Sequence, residues 1–339
     1  MQKKIVLLLV FLLSTILACA IPANIELSGN SNQPEIRLLS DLNPSSLNDA
    51  TPFQPYLFTP SVQPQSKFIL DSLVPNDGII APEGQVNILL LGADWRPNSG
   101  YRTDVILLVS IFTKQQKINL VSFPRDLWVQ VPGVGEQRIN TTQAYGGFPL
   151  TVNTFEYNFG IHIDHYMMTN FLGFKSIIDT LGGIEINAAK NLSDRCDLSY
   201  AHGAWCSVGP GVEQLDSEKA LWYVRSRYTS NDFDRTRRAQ EVAEGIFKKM
   251  MSLDAISKAP ELYNSLMSSV ETDLSLNEIM PLLQIAPKIV SDSSRVQRYA
   301  IGPEHVTSYV IPSSGANVLL PNYDAIWQLL LTAIFTIPA

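Results

Sequence analysis

Apolar and polar positions follow three different rhythms along the chain. At the N-terminus Lys3 and Lys4 precede Ile5–Leu13, a nine-residue unbroken apolar run, and a small-residue stretch then leads to Ala18. From Ala20 to Pro82 the apolar residues keep neither strand nor helix period, while nine of the 21 prolines and many Ser and Asn residues fall there; this composition predicts a tether over residues 19–82. Beyond it Val86–Gly92, Asp104–Phe112 and Lys117–Phe123 are short apolar runs rich in β-branched residues and bounded by turn signals, the pattern of buried strands. Phe171, Phe174, Ile177, Ile178 and Leu181 recur at helical spacing and stop at Gly182-Gly183, after which Gly183–Asn187 predicts a strand. Helical patterns follow near 216–226, 235–252, 276–290 and 322–335, with a strand around Val296–Ile301. Alternation of the two periods predicts α/β layers.

Composition narrows this picture. At 45% hydrophobic and 17% charged residues, wholesale disorder is excluded. A net charge of −7 argues against a general nucleic-acid binder, which needs a basic surplus, so any anion site must be local. The apolar run from Ile5 to Ala18 falls short of the ~17 to 25 residues that span hydrocarbon, and residues 1–18 read as an export signal. Its end, Ile16-Leu17-Ala18-Cys19, resembles a bacterial lipobox, which makes Cys19 the expected site of lipidation; an ordinary signal peptide or a retained anchor is the alternative, because Leu17 stands where a smaller residue is commoner. Every one of these readings puts the body outside the cytoplasm, and the lipobox reading anchors it at the outer face of the cytoplasmic membrane. The two remaining cysteines, Cys196 and Cys206, lie in a Gly-rich, loop-like stretch and are expected to pair in an oxidising compartment.

The sharpest chemical signal is five arginines within 14 residues, Arg225, Arg227, Arg235, Arg237 and Arg238. Val242, Ile246 and Met250 define the inner face of a helix that Asp234 could cap, which would put Arg235, Arg237 and Arg238 in its first turn. Cations there oppose the helix dipole, whereas a phosphate would be welcomed by dipole, amides and guanidinium groups together. Salt-bridging to Asp232, Asp234 and Glu241 is the competing use of such a run. Further charged residues gather at predicted strand ends: Asp94 and Arg96 after the first, Arg102 and Asp104 before the second, Arg125 and Asp126 after the third. Strand ends of an α/β sheet are where ligands bind, and two carboxylates can share one Mg²⁺ with substrate phosphates.

The order G-A-D-W-R, Y-R-T-D, S-F-P-R-D, R-I-N, L-G-G-I, A-L-W-Y-V-R-S-R and D-R-T-R-R-A-Q resembles the LytR-CpsA-Psr family from about Val86 to Met251, and more weakly to about Leu331. The resemblance implies a single catalytic domain over residues 83–335, a central mixed β-sheet flanked by helices in α-β-α layers. It also implies an extracytoplasmic phosphotransferase that moves a glycopolymer, such as teichoic acid or capsule, from a polyprenyl-pyrophosphate carrier to peptidoglycan. By motif, Asp94 and Asp104 match the Mg²⁺ carboxylates. Arg102, Arg125, Arg225 and Arg227 match arginines assigned to catalysis and, with Arg235, Arg238, Gln240 and the added Arg96, to the pyrophosphate. Thr103, Arg138 and Ala239 depart from the family's commoner Ser, Lys and Gln.

Other chemistries lack their devices. No G-x-S-x-G elbow, P-loop or G-x-G-x-x-G occurs. His162 and His165 suggest a metal pair, yet Asp-His-Tyr-Met-Met reads as the start of a strand. Trp205, Trp222 and Tyr223 could contact sugars, though packing is the commoner use of such rings. Neither Asp126 nor Asp234 stands out as a base. A non-catalytic module gripping polyprenyl phosphate or wall polymer is the alternative function; a nucleic-acid-binding attenuator conflicts with the export signal and the acidic charge.

Overall fold

The computed structural model describes residues 81–336, apart from 97–99, 200, 253–259, 261 and 265 and the side chains of 95, 96, 100 and 101. The export signal, Cys19 and nearly all of the tether lie outside the described residues, as does the side chain of Arg96.

Three long strands open the body: β1 (Gln85–Arg96), β2 (Gly100–Phe112) and β3 (Lys117–Ser122). The hairpin β4 (Trp128–Val131) and β5 (Gly135–Arg138) precedes α1 (Thr142–Phe159). After β6 (His165–Thr169) and α2 (Phe171–Thr180) come the short strands β7 (Ile184–Ala188), β8 (Leu192–Arg195), β9 (Trp205–Val208) and β10 (Gly211–Leu215). Helices α3 (Ser217–Arg225) and α4 (Asp232–Ser252) carry the arginine run. The chain continues through β11 (Glu271–Thr272), α5 (Leu276–Leu283), α6 (Ala286–Ser291), β12 (Val296–Ala300), β13 (Val306–Val310), β14 (Asn317–Pro321) and α7 (Tyr323–Leu330).

Six strands form one mixed sheet in the order β11-β6-β1-β2-β3-β12. β1, β2 and β3 are antiparallel neighbours, while β6 and β12 join them in parallel. Both faces are apolar because both are covered. On one face Leu89, Leu91, Ile106, Leu108 and Val121 pack with Leu150, Phe155 and Phe159 of α1 and Ile326 and Leu330 of α7. On the other Ile88, Leu107, Ile111, Ile118 and Leu120 pack with Ala243 and Phe247 of α4, and with α5 and α6. A further cluster joins α2, β7, α3 and α4. The α-β-α layering expected from the sequence is the architecture observed.

Two packing features position the site. Phe123 meets Phe155 and Phe159 at ring-centroid distances of 4.9 and 5.2 Å, and Leu127 is fully buried. Residues 124–126, held between these anchors, therefore leave the sheet in a fixed direction. The second feature is a β-bulge. Gly92 pairs with Val105 and Ala93 with Thr103, so Asp104 is an extra residue in β2. A Cβ on Gly92 would lie 3.0 Å from Cβ of Val105, so glycine lets the strands close up just before the bulge.

Candidate functional site

The bulge reverses the alternation of side chains along β2. Val105 and Leu107 line a cavity on the α4 face, whereas Thr103 is buried on the opposite face, its hydroxyl donating to Asn140 O at 3.5 Å. Arg102, one residue on, consequently falls on the cavity face, opposite Asp94 in the register. Asp104 itself becomes a hub. Its Oδ1 accepts from Nη1 of Arg125 at 2.9 Å, and its backbone carbonyl accepts from Nη2 of Arg235 at 3.3 Å.

Arg125 also donates from Nε to Asp126 Oδ2 at 3.3 Å. Burial disfavours its charge, but Asp104 and Asp126 outweigh that and raise its pKa, so the guanidinium stays cationic. Arg235 is 7% exposed and buried beside Arg125 and Arg227; burial lowers its pKa against the support of Asp232. Asp232 links the two chain segments, its Oδ1 lying 3.1 Å from Nε of Arg227 and 3.5 Å from Nη2 of Arg235. Arg225, at the end of α3, is exposed and stacks its guanidinium 4.3 Å over the ring of Phe171. Arg125 and Arg235 thus meet at Asp104, Arg227 joins them through Asp232, and Arg102 faces Asp94 across the hairpin, while Arg225 rests on Phe171.

The arginine run is not used as the sequence predicts at every position. Helix α4 begins at Asp232, three residues before the apolar pattern starts. Asn231, not Asp234, caps it, its Oδ1 accepting from Asp234 N at 2.8 Å. Asp232 and Asp234 then occupy the first turn, where they complement the dipole, so the arginines lie beyond the turn in which they would oppose it. Arg238, expected at the pyrophosphate, is 1% exposed and instead pins the preceding loop: Nη2 donates to Ser226 O and Nη1 to Ser230 Oγ at 3.1 Å. Gln240 also turns away, since its Nε2 donates to Ser122 Oγ at 2.8 Å and Tyr299 O at 2.7 Å, joining α4 to β3 and β12. Both residues hold the scaffold. Asn140 gives a reverse case: it is buried, its N–H bonds Arg125 O at 3.3 Å, and its Oδ1 has no partner. Sequence spacing gives no hint of that acceptor.

Among the described residues no group of three or more His, Cys, Asp and Glu side chains converges on a metal position. His162 faces Glu156 Oε1 at 2.7 Å, and His165 lies 3.5 Å from Asp273. Cys196 and Cys206 are joined by a disulfide.

The cavity encloses about 290 Å³ between β1, β2 and β6 and helices α2, α4 and α5, and its walls are almost wholly apolar. Leu90, Met167, Phe174, Val242, Ile246 and Met250 are typical of the lining. Gly92 and Val105 line it too, so it ends one residue from Asp104, and Val224 and Ala239 bring its wall to Arg225 and Arg238. An apolar chamber whose wall includes the sequence neighbours of Asp104 and Arg225 suits an amphiphile with an anionic head.

Comparison with known proteins gives the same grouping. A relative from Enterococcus faecalis, polyisoprenyl-teichoic acid–peptidoglycan teichoic acid transferase TagU, is 33% identical over 201 residues, which are 57% of this chain and 63% of that one. The regulatory protein MsrR of Staphylococcus aureus is 31% identical over 58% of this chain and 59% of its own. The chain thus spans about three fifths of the length of these curated relatives. Among solved structures, B. subtilis TagV superposes with a TM-score of 0.63 at 24% identity, covering 76% of this chain and 100% of that one. TagT bound to LIIa-WTA gives 0.58 at 26% identity over 75% of this chain and 92% of that one. The sequence profile of the LytR_cpsA_psr family matches residues 60–317, and this match shows that the chain belongs to that family.

Proposed function

We propose that the protein is a phosphotransferase that moves a glycopolymer from a polyprenyl-pyrophosphate carrier to peptidoglycan at the outer face of the cytoplasmic membrane. The observation that carries this reading is the meeting of the apolar cavity with the arginines at Asp104. A polyprenyl chain would fill the first, and a pyrophosphate would engage the second. The name of the E. faecalis relative and the ligand of TagT support the substrate class. The export signal, the expected lipid anchor at Cys19 and the absence of any basic surplus support the location and argue against a nucleic-acid partner.

In the reaction an acceptor hydroxyl oxygen attacks the phosphorus bearing the glycan. The bridging P–O bond breaks, polyprenyl phosphate leaves with the electron pair, and the hydroxyl proton passes to solvent. Such a transfer depends on positioning and on neutralising charge spread over phosphate oxygens. Arg125 and Arg235, both fixed on Asp104, supply preorganised cations, and Arg102, Arg225 and Arg227 extend them towards the diphosphate. Asp94 and Asp104 offer hard oxygen donors from facing strands, a set that fits Mg²⁺. When bound, the ion would draw negative charge from the diphosphate oxygens. The test supplies purified full-length protein with a synthetic polyprenyl-pyrophosphate glycan, peptidoglycan and Mg²⁺, and follows products by mass spectrometry. Release of polyprenyl phosphate with the glycan on peptidoglycan is expected; failure to bind the lipid or release polyprenyl phosphate, with or without Mg²⁺, would overturn the reading.

A further inference from the structure

We infer that Trp205, Tyr228 and Arg195 form a carbohydrate-binding platform that seats the acceptor sugar chain beside the arginine cluster. Its identity as the acceptor site rests on the transferase reading; the binding of sugar does not. Trp205 opens β9 and is 39% exposed, and Tyr228 is 65% exposed. Their rings meet edge to face with centroids 6.2 Å apart. The Arg195 guanidinium lies 4.2 Å over the Tyr228 ring, and its Nη2 donates to Tyr228 Oη at 3.1 Å.

A single exposed ring needs no explanation, but these are held by buried polar groups. Asp194, 1% exposed, accepts from Tyr228 N at 3.0 Å, Thr229 N at 3.4 Å and Arg195 N at 2.7 Å. Trp222 Nε1 donates to Arg195 O at 2.8 Å, and the Cys196–Cys206 bond ties β9 to the end of β8. The turn that delivers Trp205 places Gly203 and Ala204 both at positive φ, +61° and +63°, the two-residue hairpin geometry that aligns flanking strands closely. A buried carboxylate spent on fixing a solvent-facing aromatic edge is preorganisation for a ligand.

The chemistry of the surface selects the ligand class. An open hollow of about 560 Å³ is lined by Arg195, Cys196, Asp197, Gly203, Ala204 and Trp205. Arg195 and Asp197 are exposed and opposite in charge, so the hollow suits a neutral molecule rather than a phosphate. A pyranose presents an apolar C–H face to a ring and hydroxyls to a polar rim, which is the combination offered. Placement supplies the link to transfer. Tyr228 follows Arg227 directly, in the loop that Arg238 pins at Ser226 and Ser230, so one fixed loop carries both Arg227, ion-paired to Asp232, and the ring on which Arg195 is stacked.

The test titrates the full-length protein with a β-1,4-linked N-acetylglucosamine hexasaccharide by calorimetry, and separately with inorganic pyrophosphate. Trp205→Ala and Tyr228→Ala should each weaken hexasaccharide binding about tenfold, the loss of one ring contact, while Trp205→Phe keeps most of it and pyrophosphate binding stays unchanged in all three. The Trp205 indole N–H resonance of the wild type should also move on sugar addition, a readout independent of how the variants fold. Absence of hexasaccharide binding at millimolar concentration, an unmoved Trp205 resonance, or unchanged binding by both alanine variants would overturn the platform. Sugar binding without any polyprenyl-pyrophosphate binding would leave the platform standing and remove the transferase reading instead.

Discussion

Two guanidinium–carboxylate clusters share helix α4, and they are completed differently. Around Glu241 every oxygen is filled: Oε1 accepts from Arg237 Nη1 at 2.5 Å and Ala189 N at 3.1 Å, and Oε2 from Tyr223 Oη at 2.6 Å. Burial, followed by that carboxylate, drives the Tyr223 pKa far up and keeps the phenol a donor. Around Asp104 the 2.9 Å bond from Arg125 Nη1 to Oδ1 is accompanied by looser contacts. Arg235 gives one hydrogen bond at 3.3 Å, Asp232 accepts from Arg227 Nη2 only through Oδ2 at 3.4 Å while its Oδ1 lies near two guanidinium groups without alignment to either, and Arg225 meets a ring face. A buried carboxylate with both oxygens bonded holds the fold, whereas guanidinium groups held by single or loose contacts keep donors for a ligand.

The contrast can be broken from the saturated side first. Glu241→Ala leaves Arg237, Tyr223 and the Ala189 amide without their acceptor, and denaturant unfolding should show a loss of about 3 to 5 kcal/mol. Asp104→Asn should cost less stability than Glu241→Ala yet, on the transferase reading, transfer glycan about 100-fold more slowly, as when one preorganised electrostatic group is lost. Equal losses of stability in the two variants would erase the distinction.

Arg235 and Arg238 sharpen it within one helix turn. Arg238→Gln leaves the Ser226 carbonyl only the longer bond from Ser230 Oγ at 3.3 Å and should lower stability by about 2 kcal/mol. Arg235→Gln should cost less stability than Arg238→Gln and weaken pyrophosphate binding, read by calorimetry on the same samples. The smallest effect concerns Glu271, a carboxylate hydrogen-bonded by Tyr166 and paired with no cation among the described residues. Burial raises its pKa against the help of Tyr166. The native state therefore holds its proton to higher pH than the unfolded chain, and stability falls as pH rises from the ordinary carboxylate range through the raised value. Glu271→Gln should be slightly more stable than wild type at neutral pH, with the difference fading in acid; melting curves across that range check the sign.

The central strands, α2, β7 and the C-terminal end of α4 were legible because their apolar spacing answers to burial. Helix α1 was not: Gly146 and Gly147 are non-helical within it and Pro149 follows, a string that reads locally as a turn and is overridden by Phe155 and Phe159 entering the core. The pattern at 276–290 divides into α5 and α6, with the break at Gln284 and Ile285. At the site, Arg125 and Asp104 could be brought together on paper by strand-end logic. The separate fates of Arg235 and Arg238 could not, because they depend on where Asn231 starts the helix and on a loop carbonyl 12 residues away in sequence. Asp194 was equally hidden, a charged residue in a short strand that proves almost fully buried.

The bulge at Asp104 has a consequence for how this hairpin tolerates change. Gly92 opposite Val105 and Ala93 opposite Thr103 are consecutive pairs on β1, so the hairpin would zip without interruption if residue 104 were deleted. Every neighbour would keep its partner and its face. Asp104 is in that sense a parenthesis in the strand, a word the sheet can be read without. Sequence drift in the ladder and sequence drift in the chemistry are thereby uncoupled, and a one-residue deletion at this position is the lesion that would leave a well-paired hairpin with no hub.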